Sequence, residues 1–107
     1  MEIKKRNEAG HSIISLVGEV DLHYSPRARE EILNTLKDKQ NVLIDLSEVS
    51  YIDSSGIASL VEGYQMSKKA GQSFGLLNIS NAALQVLKLA RLDSVFPIYN
   101  NIDEIQN

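Results

Sequence analysis

The residues best suited to chemistry form one short stretch, Asp53-Ser54-Ser55-Gly56, set between the apolar pair Tyr51-Ile52 and Ile57. Asp, Ser and Gly are the residue types that open helices. The N–H groups of a first helical turn have no partner within the helix, and the helix dipole places partial positive charge there. A serine at such a point can cap the helix. Its hydroxyl can equally accept a phosphoryl group, whose oxygens the same N–H groups would hold. The four residues alone leave both roles open for Ser54, with Ser55 as the second acceptor or a second capping hydroxyl. Asp53 either orients a serine hydroxyl or caps the helix. Gly56 either lets a partner or a phosphate approach the backbone or simply serves the turn.

A second arrangement is Asp21 with His23, which together with Ser54 would make a hydrolytic triad. No Gly-x-Ser-x-Gly elbow surrounds either serine, and nothing marks an oxyanion site beyond a helix start, so no enzyme activity is expected. His23 reads as a loop histidine. The two histidines, His11 and His23, lie apart with no adjacent ligand cluster, and the chain contains no cysteine. Neither a metal site nor a cofactor is expected. Tyr51, Tyr64, Phe74 and Phe96 read as core and rim rather than as a platform for stacking bases.

The surrounding elements must position these groups. Ile3 to Arg6 is a short charged edge strand, and Ser12 to Gly18 is a β-branched strand that should end at the glycine. Ser25 and Pro26 read as the cap and first residue of a helix to about Lys39, with Ala28, Ile32, Leu33 and Leu36 on its apolar face. Asn41 to Leu46 is nearly continuous in apolar residues, which predicts a strand buried on both faces within a largely parallel sheet. A second helix follows Asp53-Ser54-Ser55-Gly56, carries Ile57, Leu60, Val61 and Tyr64 at i, i+3, i+4 and i+7, and closes at Lys68-Lys69 and Gly71. Ser73 to Ile79 is a strand. Ser80 caps a third helix with Ala83, Val86, Leu87 and Ala90 inward and Asn81, Gln85 and Lys88 toward water. Val95 to Tyr99 is a last edge strand broken by Pro97, and Ile102 to Ile105 forms one helical turn.

The order β-β-α-β-α-β-α-β predicts one α/β domain over residues 1–107, with a mixed central sheet of four to five strands and three to four helices mainly on one face. Loops after parallel strands gather at one pole, so Asp21 is placed near Ser54, as a partner contact or as an ordinary turn aspartate. The chain of 107 residues is 43% hydrophobic and 23% charged with a net charge of −3, as for a soluble globular protein and unlike a nucleic-acid-binding surface. Met1 to Arg6 lacks the apolar core of a signal peptide, and no run approaches a membrane span, so a cytoplasmic protein without direct membrane insertion is expected.

Gly18-Glu19-Val20-Asp21, Ile44-Asp45-Leu46-Ser47 and Tyr51-Ile52-Asp53-Ser54-Ser55-Gly56 occur in the order found in STAS domains. The chain resembles most the bacterial anti-sigma-factor antagonists, through Leu76 to Ser80 and Leu92 to Phe96 as well. The resemblance implies a small sheet with helices mostly on one side, and a phosphorylation-controlled binding module. Its partner would be an anti-sigma factor that is also a serine kinase, which phosphorylates the first serine of the motif, here Ser54, with Ser55 the runner-up. The unphosphorylated form would bind this partner, phosphorylation would release it, and a metal-dependent serine phosphatase of the PPM type would restore binding. Asp21, Asp53, Ser54, Ser55, Gly56 and Ile57 are expected to form the contact, and the free domain is expected to be a monomer. Ala58 stands where many members have a second glycine, a departure that bears on partner identity. The alternative implied by the same resemblance is an accessory STAS subunit of a lipid-type ABC transport complex, in which Ser54 is only a cap.

Overall fold

The computed structural model describes residues 1–106. Its elements are β1 (Glu2–Glu8), β2 (His11–Val20), α1 (Ser25–Lys37), β3 (Val42–Ile52), α2 (Ser54–Ala70), β4 (Phe74–Leu77), α3 (Asn81–Leu89), β5 (Ile98–Tyr99) and α4 (Asp103–Gln106). The five strands form one sheet in the order β1-β2-β3-β4-β5. β1 runs antiparallel to β2, and every later pairing is parallel. Chain order and sheet order coincide, so the sheet is mixed as expected, with the charged β1 at one edge and β5 at the other.

The apolar run of β3 is explained by its position between two parallel neighbours. Successive side chains alternate faces, so Ile14, Ile44 and Leu76 join the larger core while Ile13, Leu43 and Leu77 join a smaller one. The larger core takes Ala28, Ile32 and Leu36 from α1, Ile57 and Leu60 from α2, and Ala83 and Leu87 from α3. The smaller core is covered by Tyr99, Ile102 and Ile105. Three helices therefore pack on one face, and the short C-terminal turn closes the other. At the far end of α2, Tyr64 lies 5.4 Å from Phe96 and 6.0 Å from Phe74, ring centre to ring centre, an aromatic cluster within the core and its rim.

Several boundaries differ from the sequence reading, each for a local reason. β2 continues past Gly18 to Val20: Gly18 takes φ +95° where β3 inserts Ser50 as a bulge between Val49 and Tyr51, and the pairing resumes at Glu19. β3 likewise continues to Ile52 through two such irregularities. Tyr24 rather than Ser25 is the N-cap of α1, and no side chain caps it locally; Ser25 is the first helical residue and is buried. Pro26 remains in the first turn, where its missing N–H is harmless. α1 ends at Lys37, and Lys39 turns the chain out at φ +61°. On its inner face Thr35 is buried where Leu33 was expected, Leu33 being half-buried. Asn78 at φ +50° ends β4 at Leu77. Ala90 is the C-cap of α3 and is exposed, so the apolar face stops at Leu87. β5 contains only the two residues after Pro97, whose ring leaves no donor for a longer ladder.

Candidate functional site

β2 and the bulged β3 end level with one another, Val20 opposite Ile52, and the Asp53 N–H donates to the Val20 carbonyl at 3.3 Å. From this shared end the chain leaves along two paths, into the turn 21–24 before α1 and into the start of α2. Asp21 and the Asp53-Ser54-Ser55-Gly56 stretch are thus brought together at one pole, as the parallel pairing requires.

Asp53 is the N-cap of α2, in extended conformation at φ −107° and ψ −173°. Its Oδ1 accepts from the Ser55 N–H at 3.0 Å, the Gly56 N–H at 3.2 Å and the Ser55 hydroxyl at 2.5 Å. Its Oδ2 accepts from the Leu22 N–H at 3.1 Å, so one carboxylate ties the turn before α1 to the start of α2. The Ser55 hydroxyl, above all, holds the Asp53 carboxyl below the usual range; partial burial opposes this, and the Gly56, Ser55 and Leu22 N–H groups reinforce it.

This geometry revises one expectation. The first-turn N–H groups of Ser55 and Gly56 already serve Asp53 and do not stand open for a phosphate. Ser54 is the first residue of the helix and is exposed, and its hydroxyl has no hydrogen-bond partner among the described residues. The capping role belongs to Asp53.

Asp21 serves its own turn. Its Oδ1 accepts from the N–H groups of His23 and Tyr24 at 3.0 and 3.1 Å, and its carbonyl accepts from those of Tyr24 and Ser25. The His23 ring packs edge-on against Tyr24 at 4.6 Å, and no hydrogen bond joins it to Asp21 or Ser54 among the described residues. The triad arrangement is not assembled.

Gly56 and Ile57 support this surface from beneath. A methyl group at Gly56 would lie 2.6 Å from Ile52 Cγ1 and 2.8 Å from the Val20 carbonyl oxygen, so α2 rests directly on the strand ends. Ile57 is 7% exposed and belongs to the core. Ser59, one turn on, donates from its hydroxyl to the Ser55 carbonyl at 3.1 Å and to the Ser25 carbonyl at 3.4 Å, which joins the first turns of α1 and α2. Farther out, Arg29 grips Glu62 with two hydrogen bonds of 2.8 and 2.6 Å between the same helices.

Sequence reasoning missed Leu22, whose backbone completes the Asp53 tie and whose side chain is 73% exposed. The available signal was an apolar residue between Asp21 and His23 in an otherwise polar turn. It also read Tyr51 as core or rim; Tyr51 stands half exposed beside this pole. Two clefts of about 220 and 330 Å³ lie elsewhere, one against Lys5, Arg6, Ser12 and Thr35 and the other against Ile3, Arg27 and Glu30. Neither includes a residue of the pole. Ser54, Leu22 and Tyr51 are exposed at the pole, a surface suited to contact with a macromolecule.

The pH dependence of the cap follows from its geometry. Asp53 has a folded-state pKa depressed from an ordinary value of 3.8, so its contribution to stability is complete above that value and is lost as pH falls through the folded pKa. Thermal melts of the natural chain and of Asp53→Asn are expected to differ by a constant amount at neutral pH. The gap should close as the pH is taken below about 4.

The STAS domain family model matches residues 2–105. The anti-sigma-B factor antagonist of Bacillus subtilis is 29% identical over 85 residues, covering 79% of this chain and 78% of the relative. The crystal structure of an anti-sigma factor antagonist from Mycobacterium paratuberculosis superposes with a TM-score of 0.84 at 27% identity, covering 96% of this chain and 88% of the other. The phosphorylated form of the Bacillus cell-fate determinant SpoIIAA shares the fold, with a TM-score of 0.74 at 19% identity over 97% of this chain and 96% of that one.

Proposed function

The chain belongs to the STAS-domain family, and from that premise we propose that it is an anti-sigma-factor antagonist switched by phosphorylation of Ser54. In the unphosphorylated form it binds an anti-sigma factor that is also a serine kinase. Phosphorylation of Ser54 by that partner ends the binding, and a metal-dependent serine phosphatase renews it. The observation that carries this reading is the exposed Ser54 hydroxyl, without a hydrogen-bond partner among the described residues, next to the fixed Asp53 carboxylate.

The electrostatic sign follows from the occupied N–H groups. A phosphoserine brings roughly −1.5 to −2 charges at neutral pH. At Ser54 it would meet a first turn whose Ser55 and Gly56 donors are already engaged, with Asp53 and Asp21 nearby. Repulsion then dominates, and the charge acts on a docked partner without any need to refold the domain. The relative named an anti-sigma-B factor antagonist supports the antagonist part of this reading.

The transport-subunit alternative gave Ser54 the role of a helix cap. Asp53 fills that role, which leaves the Ser54 hydroxyl with no structural task and favours the switch. The test is intact-mass and tandem mass spectrometry on protein purified from its own cells. Phosphate on Ser54 is the expected result. Its persistent absence across growth and stress conditions, with phosphatases inhibited, would overturn the switch and return the transport-complex reading.

A further inference from the structure

We propose that Asp53 decides which of the two adjacent serines is phosphorylated, by engaging the Ser55 hydroxyl and leaving that of Ser54 free. The inference rests on the reading of Ser54 as the acceptor and supplies the means of selection. Ser54 and Ser55 are chemically identical and share the same helical turn. Their surroundings separate them. Ser54 is exposed and its hydroxyl has no partner among the described residues, whereas Ser55 is half-buried and donates its hydroxyl proton to Asp53 Oδ1 at 2.5 Å. The carboxylate cannot easily swing aside, since the N–H groups of Ser55, Gly56 and Leu22 hold both of its oxygens.

Phosphoryl transfer places demands that only one of these hydroxyls meets. The serine oxygen must present a lone pair in line with the γ-phosphorus of a kinase-bound nucleoside triphosphate. A bond forms from serine Oγ to phosphorus, and the bond from phosphorus to the β,γ-bridging oxygen breaks. The nucleoside diphosphate leaves with that electron pair, and the hydroxyl proton passes to a base on the kinase. Ser54 can offer its oxygen outward without losing any contact. Ser55 keeps its lone pairs, but it is half-buried and its proton is held by Asp53. Reaching the γ-phosphorus and passing that proton to a base on the kinase requires breaking a charge-assisted hydrogen bond. Its product would then carry a phosphate against a carboxylate that three N–H groups hold in place. Nor does Asp53 serve Ser55 as the base, because lone pairs shared among four donors make it a poor proton acceptor.

The experiment is site-resolved tandem mass spectrometry of the full chain expressed in its own cells with phosphatases inhibited. The forms compared are the natural chain, Ser54→Ala, Asp53→Ala, Asp53→Asn and the double variant Asp53→Ala/Ser54→Ala. In the natural chain phosphate should sit on Ser54, with Ser55 carrying less than about a tenth of it, and Ser54→Ala should be almost unmodified. Asp53→Ala should raise the Ser55 share by roughly tenfold or more, and the double variant should carry its phosphate on Ser55. Asp53→Asn keeps an acceptor for the first-turn N–H groups but removes the charge, and should shift the share in the same direction. It decides the matter if thermal melts show that Asp53→Ala does not fold. Natural chain modified at Ser54, with Ser55 unmodified in the folded Asp53 variants, would overturn this inference and leave the switch standing. Comparable phosphate on both serines of the natural chain would also overturn it. Phosphate on neither serine in any form would remove the switch and the inference together.

Discussion

Ser54→Asp is expected to weaken binding of the anti-sigma partner by about a hundredfold or more, with a melting temperature close to that of the natural chain. The basis is the placing of Asp21, Asp53 and residue 54 at one pole. Asp53 and Asp21 are already fixed there by backbone donors, so neither can move away from a third negative charge. An interface closing over this group must exclude water from like charges gathered at one pole, which costs several kcal/mol, and each 1.4 kcal/mol is about tenfold in affinity. Stability should change little because Ser54 is exposed and its hydroxyl holds nothing in place. An acidic residue in the first turn is even favoured by the helix dipole. Ser54→Ala should bind like the unmodified protein and resist release by kinase and nucleoside triphosphate. Titration calorimetry of both variants against the partner recovered from the native cells checks the pair. Tight binding by Ser54→Asp would contradict the repulsive mechanism.

Gly56→Ala is expected to be the most damaging of the conservative changes at the site. The added methyl would lie 2.6 Å from Ile52 Cγ1 and 2.8 Å from the Val20 carbonyl oxygen. The first contact can be relieved by turning a side chain. The second is with backbone at the end of β2, and relief requires α2 to lift off the sheet. Overpacking of this kind costs about 1–3 kcal/mol. For a domain of this size that corresponds to a fall in melting temperature of roughly 5 to 20 °C. The lift would also strain the Asp53 contacts to Leu22 and Gly56, so partner binding should fall with stability. Urea denaturation and a thermal melt measure the first effect, and hydrogen exchange at the Leu22 amide measures the second. An unchanged melt with normal exchange would show that the helix start tolerates displacement.

The fold was largely legible because its strongest signals are periodic. Ile57, Leu60, Val61 and Tyr64 mark α2 at helical spacing, and the apolar run from Val42 to Leu46 marks a strand with neighbours on both sides. Asp53, Ser54 and Asp21 were legible as one pole because parallel strands deliver their following residues to the same end. The division of labour among them was not. Which of Asp53, Ser54 and Ser55 caps the helix depends on side-chain directions fixed by the β3 bulge opposite Gly18 and by the depth at which Gly56 meets Val20. Sequence spacing contains neither distance. The start of α1 misled for a similar reason: Ser25 and Pro26 form a good local signal, yet Asp21, four residues earlier, holds the turn and leaves Tyr24 at the cap position.

The two sheet borders bear on how such a protein behaves between partners. β1 carries the exposed cations Lys4, Lys5 and Arg6, of which Lys5 pairs with Glu31 and Arg6 with Asp45, and β5 offers only two residues after a proline. Unpaired strand borders invite copies of a chain to zip together, and charge, brevity and proline are the devices that prevent it. On the proposed reading the module is repeatedly let go and must persist alone at whatever concentration the cell holds. With both borders blunted, release returns it to a reusable pool instead of feeding an aggregate.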